Sequence, residues 1–369
     1  MKRVVASYIA LLSVFLVKHL SHTRRLHSNI CSLSIMTANN SSNSNTAVFS
    51  NSEMSLPRPI RFWLLVIFNI PSVICSFSII IHIIMDRVQR YALQNHTILL
   101  ILIMHLPIQL IDINFYLVFF HYGYVLPSKP IVCLLWWFAD YGCFIGGLIL
   151  MAWLAIERHI LIFHDFLVSN KKRRFLSHYL PLGILVTYIL LFYIICVFLL
   201  PCESTYVYTL PVCGASPCYQ SYDILGEWEF IVNSSIPIVL ESIVSIGLIV
   251  RVQRQKRRIH QSTQWHKYRR MIIQLFLVSS VDLSLNLPFY LISFAHLCGL
   301  PQEYGVQLQL YLFFLGYFAI FLFPFASLCQ FPELRKTIKN KIIAVLPRQL
   351  YRRTPVGPIT ITIPMVQQQ

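Results

Sequence analysis

Seven long apolar stretches, parted by short polar loops, constrain this chain more than any other feature. They cover residues 59–84, 93–121, 131–158, 176–200, 228–252, 271–297 and 306–329. Each exceeds the roughly 20 apolar residues that a helix needs to cross a bilayer's hydrocarbon core. Inside that core backbone N–H and C=O groups must be paired within the segment, which dictates helices. The expected fold is therefore an all-α membrane protein: a seven-transmembrane helix bundle, with a short amphipathic helix after the seventh span. Only 12% of the residues are charged, about half the proportion of a soluble domain. The expected organisation is a tail over 1–58, the bundle over 59–331, an interfacial helix over 332–346 and a second tail over 347–369.

The formal net charge of +16 would suit nucleic acid, but its placement argues otherwise. Of 30 Lys and Arg residues, 22 lie on one side of the proposed bundle, in four clusters at 87–90, 158–174, 251–270 and 335–353. The three loops on the opposite side hold a single basic residue, Lys129. Short loops rich in Lys and Arg stay cytoplasmic, so the expected topology puts the N-terminus outside and the C-terminus inside a plasma membrane. Membrane lipids with anionic headgroups are the expected partners of this charge, and no nucleic acid is expected.

Residues 1–17 have Lys2-Arg3 followed by an apolar run of signal-peptide length. A cleaved signal, an uncleaved interfacial segment and a start placed too far upstream all fit. Residues 37–55 are rich in Asn and Ser and are expected to be disordered. Asn39 and Asn40 begin glycosylation sequons, usable on an extracellular tail; Asn95-His96-Thr97 fits the same pattern at the cytoplasmic end of helix 2 and should stay unmodified.

The third stretch carries the sharpest signal. Cys133 opens it and Glu157-Arg158-His159 closes it, 25 residues apart from Cys to Arg. At 1.5 Å per residue that is about 37 Å, a full membrane thickness. With His164 and Phe166 following, and Pro237, Pro288 and Pro324 inside stretches five, six and seven, the chain resembles the rhodopsin-like (family 1) G-protein-coupled receptors over about 59–343. It departs from them in four places. His105 stands at the sodium-binding Asp, Asn286 replaces the Trp before the helix-6 Pro, and Phe323-Pro324-Phe325-Ala326-Ser327 replaces Asn-Pro-x-x-Tyr. The Trp of helix 4 is missing. A divergent branch of the family is implied.

The resemblance implies an activation switch at Glu157, Arg158 and His159, with Glu157 pairing Arg158 at rest, and with Pro288 and Pro324 as helix-breaking points. Arg158 and Phe166 would contact a heterotrimeric G protein. Asp140, two helical turns below Cys133, matches the Asp that pairs with amines and basic peptides, and Tyr317 matches the helix-7 Tyr that bonds it. Asp112 lies higher in helix 2 and joins the ligand-binding set. Tyr317 also stands where opsins carry their retinal lysine, so no cofactor of that kind is expected, nor any other. The family joins the helix-3 Cys to the second outer loop; Cys218 is the first choice for Cys133 and Cys213 the second, with Cys202 pairing whichever remains.

A deeper buried polar cluster comprises His105, Asp282 and Asn286, with Glu241 in helix 5. Ionisable groups in a bilayer mark functional paths by default, and His105 is expected to pair with Asp282. The leading expectation is a receptor that transduces an extracellular, cationic ligand (amine or basic peptide) to a G protein. A secondary transporter using the buried His, Asp and Glu residues is the alternative, and a constitutive or scaffolding seven-helix protein a third. No nucleophile–base motif, phosphate loop or metal-ligand spacing is present in the sequence, so neither enzyme activity nor a metal is expected.

Overall fold

The computed structural model describes residues 54–345, apart from 168, 215–216, 259–261, 298–299 and 302–303. The tails carrying Asn39, Asn40 and the signal-like run, the segment after 345, and Cys298 lie outside the described residues.

Among the described residues seven helices are long and apolar enough to cross a membrane, and the chain is a multi-pass membrane protein. They are α1 (Arg58–Met85), α2 (Leu93–Tyr122), α3 (Pro130–Phe163), α4 (Lys171–Leu199), α5 (Ile224–Val252), α6 (Ser262–Leu297) and α7 (Val306–Leu328). Local chemistry sets their ends. Prolines sit in the first turns of α1 and α3, where a missing N–H costs nothing. Asp86 stops α1, and its carboxylate accepts the Val88 N–H that starts the next short turn of helix. Gly123, at φ +81°, closes α2 in the left-handed region.

The helices form a closed ring. α1 packs on α2 and α7, α2 and α5 pack on α3, and α6 packs on α7. α3 is the central member: 72% of its apolar window is buried, against 28% in α4 and in α6. α1 instead turns an apolar stripe outward at Trp63, Ile67, Ile70, Ile74, Phe77 and Ile81. That spacing of three and four residues is one helix face, and in water it would be an aggregating patch. In a bilayer it meets lipid.

Close helix contact depends on two adjacent glycines of α3. A Cβ at Gly146 would lie 2.6 Å from Met104 Cε and 2.8 Å from Ile189 Cγ2, and one at Gly147 would lie 2.9 Å from His105 Nε2. These positions let α2 and α4 approach α3.

Several helices contain a π-helical turn, among them Ile108–Asp112 in α2, Phe138–Cys143 in α3 and Glu229–Ser235 in α5. Pro107 directly precedes the first of these and Pro237 follows the last by two residues, and each lacks the N–H of an α-helical rung. Beyond the bundle, Pro332–Val345 forms α8, with Glu333 in its first turn and bonded to Lys336 at 3.2 Å. Leu334 and Ile338, four residues apart, share one edge of it.

Candidate functional site

Two disulfides organise one end of the bundle. Cys133 at the start of α3 is joined to Cys213, with Cα atoms 5.8 Å apart, and Cys202 to Cys218, 6.0 Å apart. The expected first choice, Cys133–Cys218, is thus corrected to Cys213. Cys202 follows α4 closely and Cys218 shortly precedes α5. Their bridge closes the neck of the loop, and the loop's tip is left to reach α3. There Trp137 Nε1 donates to Val212 O at 2.8 Å, and Trp137 stacks on Tyr206 at 5.4 Å.

Below this roof lie three buried acids, each on one of the π-turns of α2, α3 and α5. The Tyr317 hydroxyl of α7 donates to Asp140 Oδ1 at 2.8 Å, so the expected pair is formed. Rings surround Tyr317, with Tyr116 at 5.6 Å and Phe313 at 5.7 Å. Asp112 Oδ1 accepts from Trp136 Nε1 at 2.6 Å, while its Oδ2 has no hydrogen-bond partner among the described residues and the residue is fully buried. Asp112 and Asp140 are close enough to interact electrostatically, and so are Asp140 and Glu229.

Glu229 was not anticipated from sequence; it follows Glu227 by two residues at the start of the fifth apolar stretch, where an acid reads as part of the polar boundary. Its carboxylate accepts from Tyr219 OH at 2.8 Å and from Gln220 Nε2 at 3.0 Å, which fixes the loop after Cys218 onto α5. Burial, and then the Glu229 charge, pushes the Tyr219 hydroxyl well above its ordinary range, which keeps it a donor. Trp136 was likewise missed; nothing marks it among the apolar residues of α3.

Midway along the bundle a small cavity is lined by His105, Gly147, Met151, Asp282, Asn286 and Phe323. Asn286 Nδ2 donates to Asp282 Oδ1 at 2.8 Å. The expected His105–Asp282 pair is not made. His105 packs edge-on against Phe323 at 5.2 Å, and among the described residues neither its Nδ1 nor Asp282 Oδ2 has a hydrogen-bond partner. The physical reason is Gly147: without a Cβ it admits the His105 ring against α3, across the cavity from α6. Asp282 instead faces Glu241 of α5, a second buried acid with Ser279 beside it.

At the far end of α3, Glu157 and Arg158, the expected pair, act on each other's charge but make no ion pair within 4 Å, their close contacts lying elsewhere. Consecutive helix positions point about 100° apart and do not face one another. Glu157 turns to Thr97, whose hydroxyl donates to it, and to His178 Nδ1 at 3.5 Å. Arg158 turns to α2 and the end of α7: Nη2 donates to Gln94 O at 2.7 Å and reaches Gln330 Oε1 at 3.4 Å. Gln330 Nε2 in turn donates to Asn95 Oδ1 at 2.6 Å. Asn95, the sequon residue in α2, is fully buried. His159 lies 3.4 Å from Arg251 Nη1, while Phe166, in a short turn beyond α3, is 55% exposed. Pro288 and Pro324 are spanned by continuous helix in α6 and α7.

No model of a known protein family matches this chain, and no curated protein matches it. Its functional reading rests on the site geometry and on the motifs of its sequence. Among the described residues no group of three or more His, Cys, Asp or Glu side chains is placed to hold a metal ion.

Proposed function

We propose that this protein is a rhodopsin-like G-protein-coupled receptor of a divergent branch. It sits in the plasma membrane with the disulfide end outside and the Arg158 end in the cytoplasm. It couples an extracellular cationic ligand, an amine or a basic peptide, to a heterotrimeric G protein. One observation carries the reading: Asp140, buried on the central helix below the disulfide-tethered loop, has Tyr317 of α7 as its hydrogen-bond partner. A carboxylate at that depth costs about 2.5–3.5 kcal/mol by insertion scales, and a phenol leaves its charge uncompensated. A ligand ammonium would compensate it, through charge-assisted bonds of about 1.5–3 kcal/mol. Arg158, buried at the opposite end of the same helix, supplies the group whose release would open the inner face.

The test is a cell signalling assay against a panel of amines and basic peptides, with surface expression measured in parallel. Asp140→Asn should weaken the active ligand about 10- to 150-fold at unchanged surface level, and Arg158→Ala should remove coupling while sparing binding. Unchanged potency in Asp140→Asn refutes the reading. A secondary transporter is favoured by one observation only, the two buried acids Glu241 and Asp282 facing each other in mid-bundle. Substrate flux into proteoliposomes that is lost in Asp282→Asn would select it.

A further inference from the structure

Asp112 of α2 and Asp140 of α3 face one hydroxyl. Tyr317 of α7 donates to Asp140 Oδ1 at 2.8 Å, and Asp112 lies within hydrogen-bonding reach of the same Tyr317 oxygen. A hydroxyl has one hydrogen to give. With that hydrogen on Asp140, Asp112 Oδ2 is left without a hydrogen-bond partner among the described residues, although Asp112 is fully buried. Two hydrogen-bond lengths in series put the facing carboxylate oxygens within about 6 Å of each other.

The donors that serve this pair are neutral. The other Asp112 oxygen is held by Trp136 Nε1 at 2.6 Å. The charges that act on the two acids are negative: Asp140 acts on Asp112, and Glu229 acts on Asp140. Glu229 has two donors of its own, Tyr219 and Gln220. The unmet acceptor therefore belongs to Asp112. Rings enclose it, with Tyr116 standing 5.1 Å from Trp136 and 5.6 Å from Tyr317, and aromatic faces attract cations. A single ammonium on Asp140 answers one carboxylate and leaves the second in the same dry space.

We propose that the ligand carries two cationic centres, as a short aliphatic diamine does, with one ammonium on Asp140 and the other on Asp112 Oδ2. This rests on the receptor reading and narrows its ligand class. Each ammonium brings three N–H donors and a full positive charge, so the second supplies Asp112 with the hydrogen that Tyr317 cannot share. The expected preference runs against apolar burial. Exchanging the far methyl of a monoamine for an ammonium brings a strongly hydrated charge into a closed site, which weakens binding unless a carboxylate meets it.

The experiment compares 1,4-diaminobutane with 1-aminopentane on the full chain in lipid nanodiscs. The two have equal numbers of heavy atoms and differ by one ammonium in place of one methyl. Affinity is read from the rise of the unfolding midpoint with amine concentration. The diamine should bind about 10-fold tighter or more. Asp112→Asn, whose amide oxygen can still accept from Trp136, should bring that ratio down toward one. Should the variant fail to fold, the wild-type comparison decides. A monoamine that binds as well as the diamine, or a ratio unchanged by Asp112→Asn, overturns the inference and leaves the receptor reading standing. A midpoint moved by neither amine also overturns it, and the cell assay with Asp140→Asn then judges the receptor reading separately.

Discussion

Tyr317 and Asp140 join α7 to α3 by a 2.8 Å hydrogen bond inside a shell of aromatic rings. The bond ties the last helix of the ring to the central one, so its loss affects stability as well as binding. Tyr317→Phe keeps the ring contacts and removes the donor. The unfolding midpoint should fall by the equivalent of about 1–3 kcal/mol, the cost of a buried acceptor left unmet. A saturating cationic ligand should recover part of that loss, which a thermal shift assay with and without ligand would read.

Cys133 and Cys213 should be recovered in one disulfide-linked peptide after digestion without reductant, and Cys202 and Cys218 in another. Cys213→Ser should lower surface expression by freeing the loop from α3, consistent with about 2–5 kcal/mol for losing a native bridge. A Cys133–Cys218 peptide in the mass spectrum would refute the pairing.

Gly147 has room for hydrogen only. Gly147→Val should press on His105 and cost about 1–3 kcal/mol of overpacking, seen as a lower midpoint in the same thermal assay. His105→Ala in the Gly147→Val background should recover much of it, because the obstructing ring is then gone. The two changes should be clearly non-additive.

Gln330 holds Arg158 and Asn95 together at the base of α7. Gln330→Ala should loosen Arg158 and raise ligand-independent signalling in the proposed receptor, while Arg158→Ala should abolish it. Equal basal signals in wild type and Gln330→Ala would remove Gln330 from any resting lock.

The seven helices were legible in the sequence because span length and apolarity are summed over some 20 residues, and small errors cancel. Tyr317 and Asp140 were legible through the family resemblance. What the sequence hid is directional. Glu157 and Arg158 are neighbours in the chain and for that reason point to different partners on a helix. Cys213 and Cys218 differ by five positions, and spacing alone does not tell which reaches α3; the Cys202–Cys218 closure does. His105 and Asp282 were at the right depth, but the side from which His105 enters is set by Gly147, a residue with no side chain to notice. Glu229 was overlooked because its donors, Tyr219 and Gln220, come from a loop whose path no periodicity describes.

The π-turn at Phe138–Cys143 gears the two ends of α3 together. It takes up one residue more than an α-helical turn, so removing a single residue there lets the stretch close as α-helix with the phase on either side nearly kept. The same deletion in the regular helix beyond it would rotate one half of α3 against the other by about 100°. With the Arg158 half held fixed, Cys133 would then swing away from Cys213, and with the Cys133 half held fixed, Arg158 would leave Gln94. A one-codon deletion is thus absorbed at the π-turn and breaks both ends at once elsewhere in the span.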